Sequence, residues 1–149
     1  MPTSAKRPPS ERPLSNCIVL DASALMDFFE DRPGAQTVEA LIASAAQGQS
    51  ELLMSVVNWG EVYYSIHRAQ GPATAQKIIA EIAQLPIDLI PATYDLTKQA
   101  AEFHAHHKLP YADCFAAALA ADRQATLATS DKHFARVAPH LRLLWTTKP

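Results

Sequence analysis

The chain has 149 residues and a mass of 16.2 kDa, the size of one domain around a single core. Thirteen Lys and Arg against fifteen Asp and Glu give a net charge of −2, which excludes a generally basic nucleic-acid binder and an acidic disordered tail protein. Two cysteines exclude a disulfide scaffold, four glycines leave no Gly-rich phosphate loop, and the longest apolar runs, such as Cys17–Leu20, are far too short to span a bilayer.

Residues 1–15 carry four prolines and three basic residues, Lys6, Arg7 and Arg12, with few apolar ones. The composition predicts a disordered arm, and it has no apolar stretch of the kind a secretory signal needs. The folded part is expected from Asn16. A buried strand is expected over Asn16–Leu20, followed by helical patterns over Ser23–Phe29 and Gly34–Gln47. A second apolar run, Leu52–Val57, precedes helical patterns over Trp59–Arg68 and Ala73–Gln84, separated by Gly71-Pro72. The third run is Ile87–Ile90, and helices are expected over Tyr94–His107 and Tyr111–Arg123. Ala125–Thr129 and Leu141–Trp145 are the last two runs. Short apolar runs separated by helices of ten or more residues require crossover connections. The expected fold is therefore α/β: a three-layer α/β/α domain with a mostly parallel central sheet of about five strands, apolar throughout.

In such a sheet, functional groups collect beyond the carboxyl ends of the strands, where helices begin. Four acids are expected there. Asp21 follows the first strand directly, and Asp131 follows the fourth. Glu61 lies three residues after Asn58, in the expected first turn of its helix, and Asp113 lies in the first turn of the Ala-rich helix. Singly, each has a structural explanation: Asp is a common N-cap, Asn58 and Glu61 have capping-box spacing, and Asp113 suits a helix dipole. Together, four carboxylates on one edge would repel unless a cation neutralised them. All-oxygen ligation of that kind selects a hard divalent ion, Mg²⁺ or Mn²⁺.

The segments DASALMDFF, NWGEV, LPYADCFAAALA and TSDKHF, in this order and spacing, resemble the PIN domain, and more narrowly the VapC-type ribonuclease toxins of bacterial toxin–antitoxin pairs. The resemblance covers residues 16 to 145 and includes Ser23, two residues after the first Asp, and Phe134, three after the last. It implies a single nuclease domain over 16–149 with Asp21, Glu61, Asp113 and Asp131 as its acidic site. Asp21 and Asp113 would be the principal metal ligands, and Ser23, Thr129 and Ser130 polar supports at the rim. It further implies Mg²⁺-dependent RNA hydrolysis leaving a 5′-phosphate and a 3′-hydroxyl, a homodimer, a cognate antitoxin lying over the acidic edge, and a cytoplasmic protein without membrane attachment. Lys132, beside Asp131, is the first candidate phosphate contact, ahead of Arg32, Arg68, Lys108, Arg136 and the arm's basic residues. Setting the four site acids aside leaves a surplus of two bases, compatible with an RNA substrate once a cation fills the site.

Competing readings are a PIN-like binding module that has lost activity, a phosphatase of the haloacid dehalogenase type, and a receiver domain. The first predicts loss of one or more acids. The second needs a further Asp where Ser23 stands, and the third needs paired acids before the first helix. His104, His106 and His107 raise the question of zinc, but no Cys or paired Glu accompanies them. Cys17 and Cys114 read as small core residues, Trp59 and Trp145 as core or interface, and Phe28, Phe29, Tyr63 and Tyr64 likewise.

Overall fold

A computed structural model describes residues 16–147; the expected arm lies outside the described residues, as do Lys6, Arg7 and Arg12. Strands β1 (Cys17–Leu20), β2 (Glu51–Ser55), β3 (Ile87–Ile90), β4 (Thr126–Thr129) and β5 (Arg142–Trp145) form one sheet in the order β3-β2-β1-β4-β5. Every pairing is parallel. The helices are α1 (Ala22–Phe29), α2 (Ala35–Ala46), α3 (Val56–Gln70), α4 (Pro72–Ile82), α5 (Tyr94–His107) and α6 (Tyr111–Arg123), with a short 3-10 helix at Lys132–Val137.

Side-chain alternation along β1 divides the core in two. Val19, in register with Leu53 and Leu127, packs with α5, α6 and Phe134. Ile18 and Leu20 face the other way, against Leu25, Val38, Val62 and Ile66 from the first three helices. This is the expected three-layer α/β/α arrangement. α6 is buried at every position from Asp113 to Ala120. Its alanines let the helix lie close to the sheet, while Phe115 and Leu119, one turn apart on the same face, fill the core beside it.

Two expectations need correction. The strands are not apolar throughout: edge strand β3 carries exposed Asp88 and β5 carries half-buried Arg142, and only β4 is buried along its whole length. Edge strands pair on one side and are covered incompletely by helices. Val56 and Val57, expected to end the second strand, instead begin α3, because Ser55 caps the helix by accepting a hydrogen bond from the Val57 N–H. The break expected at Gly71-Pro72 is present: Gly71 closes α3 at φ +91°, a conformation that favours glycine, and Pro72 opens α4.

Gly34 is required by packing. A Cβ there would sit 2.7 Å from Asp27 Oδ2 and 2.8 Å from Thr146 Oγ1, both on buried residues. Gly34→Ala is expected to destabilise the domain by about 1–3 kcal/mol through overpacking. A thermal melt checks this; an unchanged midpoint would contradict the packing described.

Candidate acidic site

The strand order reverses between β1 and β4. The connection leaving β1 leads toward β2 on one side, while β4 lies on the other, so the carboxyl ends of these two strands border a crevice. Asp21 stands at the end of β1 and Asp131 two residues beyond β4. Asp113 reaches the same edge from the first turn of α6, whose other end feeds β4. Glu61 comes from α3. Because the helix starts at Val56, Glu61 lies in its second turn, not its first, and Asn58 is not the cap.

Asp21 is the most tightly held. It is 2% exposed and caps α1, accepting from the Ala24 N–H at 3.0 Å. The Ser23 hydroxyl lies 2.8 and 2.9 Å from its two oxygens, and the Thr129 hydroxyl donates to Oδ2 at 2.7 Å. Thr129 also accepts from the Asp131 N–H at 2.9 Å, so one buried hydroxyl ties the first acid to the backbone of the last. Ser130 enters through its backbone, its N–H donating to Ser23 Oγ at 3.1 Å. Fully buried Phe134 anchors the 3-10 helix that follows. Thr129→Val keeps the shape but removes the bridge. A loss of about 1–3 kcal/mol in urea unfolding is expected, with Thr129→Ser retaining most of the stability.

Asn58 is fully buried and cross-links two helices. Its amide donates to Glu61 Oε1 at 2.9 Å and to the Ala112 carbonyl at 3.0 Å, one residue before Asp113. Asp113 is 7% exposed, and its Oδ2 has no hydrogen-bond partner. Among the described residues, Asp113, Asp131 and His133 each place a ligand atom within 4.8 Å of the others. His133 Nδ1 lies 2.8 Å from Asp131 Oδ1, which also caps the 3-10 helix through the His133 N–H at 2.9 Å.

Burial with like-charged neighbours shows in the proton affinities. Burial pushes Asp21 up to about 6, against the bonds from Thr129, Ala24 and Ser23 that pull it down. Asp113 is pushed to about 8, first by burial and then by Asp131, Asp21 and Glu61. Glu61 is raised, chiefly by burial. Asp113 therefore feels the charges of all three other carboxylates. A cation is the general remedy, and the orphaned Asp113 oxygen is the kind of atom one would satisfy.

The remaining candidates disperse. Arg32 pairs with Asp27 and Glu30, the Arg68 guanidinium lies over the Tyr64 ring, and Arg136 donates to the Lys108 carbonyl. Lys132 is exposed beside Asp131. His104 turns to the Leu109 carbonyl while His107 packs on His140, so the three histidines of α5 do not converge. Cys114 is buried in α6, and Cys17 is half-buried in β1. Trp59 stacks on Tyr63. Two site residues escaped the sequence reading. His133 was not singled out within TSDKHF, where its place two residues after Asp131 is the only signal, and Asn58 was read as a cap.

Solved structures of similar fold include VapBC2 from Rickettsia felis bound to a promoter DNA fragment (TM-score 0.71, 18% identity, 87% of this chain and 98% of that one). A toxin–antitoxin complex from Klebsiella pneumoniae aligns with TM-score 0.65 and 19% identity, over 89% of this chain and 99% of that one. VapC20 from Mycobacterium tuberculosis, a sarcin-ricin loop cleaving toxin, aligns with TM-score 0.65 and 19% identity, over 79% and 92%. No curated protein sequence matches the chain. The family model described as PIN domain matches residues 18–139, most of the chain and all four acids, and the chain belongs to the PIN domain family.

Proposed function

We propose that this protein is a Mg²⁺-dependent endoribonuclease and the toxin of a VapC-type toxin–antitoxin pair, with Asp21, Glu61, Asp113 and Asp131 as its catalytic carboxylates. The observation that carries the reading is buried Asp113, with one oxygen lacking a partner and its charge disfavoured by Asp131, Asp21 and Glu61. The donor set is all oxygen among the four, which suits Mg²⁺, with Mn²⁺ as a substitute. Such an ion supplies, when bound, Lewis acidity toward the phosphate oxygens.

Asp21 and Asp113 would hold it. Asp21 is oriented by the hydroxyls of Ser23 and Thr129. Glu61, positioned by Asn58, would complete the site directly or through water. Asp131 would orient the attacking water or take part in a second ion's site. Lys132 would meet the phosphate at the rim. Attack by water rather than by the 2′-hydroxyl would leave a 5′-phosphate and a 3′-hydroxyl.

The phosphatase reading loses ground because Ser23, standing where that chemistry needs a second Asp, is hydrogen-bonded to Asp21. The inactive-module reading predicts a missing acid, and all four are present. The VapBC complexes among similar structures support an antitoxin protein as partner. A homodimer working in the cytoplasm completes the proposal; no helix among the described residues is long and apolar enough to cross a membrane. The test is end-labelled RNA incubated with purified protein and Mg²⁺, Mn²⁺ or EDTA. Cleavage with either ion, none with EDTA, and products ligatable through a 5′-phosphate are expected. Equal cleavage in EDTA, or 2′,3′-cyclic ends, would overturn the proposal.

A further inference from the structure

We propose that His133 is an imidazole ligand to the ion, so that the site offers this ion nitrogen as well as oxygen and holds Mn²⁺ more tightly than the four acids alone would. The inference rests on the crevice being a cation site, and adds to it a residue outside the four acids.

Three observations meet at His133. Its ring nitrogen and one carboxylate oxygen each from Asp113 and Asp131 lie within 4.8 Å of one another. The Asp113 carboxylate in that group is buried, and its Oδ2 is unpartnered. A buried oxygen with no donor points to a ligand that would satisfy it. The separation of His133 Nδ1 and Asp131 Oδ1 is 2.8 Å. Two neighbouring ligands on an octahedral ion with bonds near 2.1 Å stand about 3 Å apart, so this pair has the spacing an ion requires. The position is also preset. The His133 N–H bonds Asp131 Oδ1, the Asp131 N–H bonds Thr129, and buried Phe134 follows at once.

A helix cap with an ion-paired imidazole explains the Asp131–His133 contact by itself. It does not explain why a third, buried carboxylate oxygen is left without a partner beside that pair. Lys132, Asp21 and Glu61 are the other charged groups near the site, and none is a nitrogen ligand of this type. Imidazole suits transition-metal ions better than Mg²⁺, which favours oxygen and retains its waters.

The test uses the full chain stripped with EDTA. Mn²⁺ binding is followed by electron paramagnetic resonance, Mg²⁺ binding by competition, and nitrogen ligation by the ¹⁴N modulation in pulsed spectra. The wild type is expected to show ¹⁴N modulation. His133→Asn should lose it, bind Mn²⁺ roughly tenfold more weakly and change its Mg²⁺ affinity by less than about threefold. Wild-type Mn²⁺ binding without ¹⁴N modulation, or modulation that survives in His133→Asn, overturns the inference and leaves the acidic cation site standing. Absence of Mn²⁺ binding in the wild type, or undiminished binding in Asp113→Asn, overturns both. The wild-type spectrum decides even if the variant folds poorly.

Discussion

Asp113→Asn is expected to abolish Mg²⁺-dependent RNA cleavage, lowering the rate by at least about a hundredfold, while making the ion-free protein more stable. The two effects share a cause. Asp113 is buried, its Oδ2 lacks a partner, and Asp131, Asp21 and Glu61 all disfavour its charge. In the free protein burying that charge is so unfavourable that the carboxyl holds a proton near neutral pH, at the expense of stability. With a cation present the same charge attracts the ion. Asn keeps the shape and removes the charge, so near neutral pH it should stabilise the EDTA-treated protein by about 2 kcal/mol or more. It should also remove most of the stabilisation that added Mg²⁺ gives the parent. Thermal melts with EDTA and with Mg²⁺, run beside the cleavage assay, check both halves. A variant that cleaves normally would rule out the metal role, and one that melts lower in EDTA would show Asp113 to be structural. The expected pattern is the one in which activity is held at the expense of stability.

The stability of the ion-free protein should fall as pH rises from 5 to 8.5, opposite to ordinary acid denaturation. The folded state raises Asp21 from 3.8 to about 6 and Asp113 from 3.8 to about 8. Each carboxyl thus binds its proton more tightly folded than unfolded. Between the unfolded and folded values the native state carries more protons, so raising the pH favours unfolding. For Asp21 the loss amounts to about 3 kcal/mol once the pH has passed its folded value, and Asp113 adds to it at higher pH. A divalent ion competes with those protons and should flatten the profile. Denaturant unfolding at several pH values, with EDTA or with Mn²⁺, reads the effect. An EDTA profile that does not fall over this range would mean that the two acids are unshifted, contrary to the burial of Asp21 and Asp113.

Much of the fold was legible because the periods were clean. Short apolar runs such as Cys17–Leu20 and Ala125–Thr129, spaced by Ala-rich helical patterns, leave little alternative to a parallel sheet between helices. Boundaries were legible where a residue imposes its own conformation, as Gly71 and Pro72 do between α3 and α4. They failed where two local preferences compete. Val56 and Val57 favour a strand by their β-branching, but Ser55 caps a helix at that point and Asn58 is drawn into the interior. That shift moved Glu61 from the first turn to the second and turned Asn58 from an expected cap into a link between Glu61 and the start of α6.

By itself the sequence determined the fold class, the placing of Asp21 and Asp131 directly beyond strands, and the presence of Asp113 near a helix start. These follow from local order along the chain: apolar runs make strands, and what comes next lies at their ends. Only the tertiary structure decided that the strand order reverses between β1 and β4, that Thr129 bridges Asp21 and Asp131, and that Asp113 is buried with an orphaned oxygen beside His133. The bridge from Thr129 to Asp21 depends on segments more than a hundred residues apart being brought together by the pairing of β1 with β4. Whether a carboxylate is solvated or buried beside three others is set by that pairing, and so is the strength with which it attracts a cation.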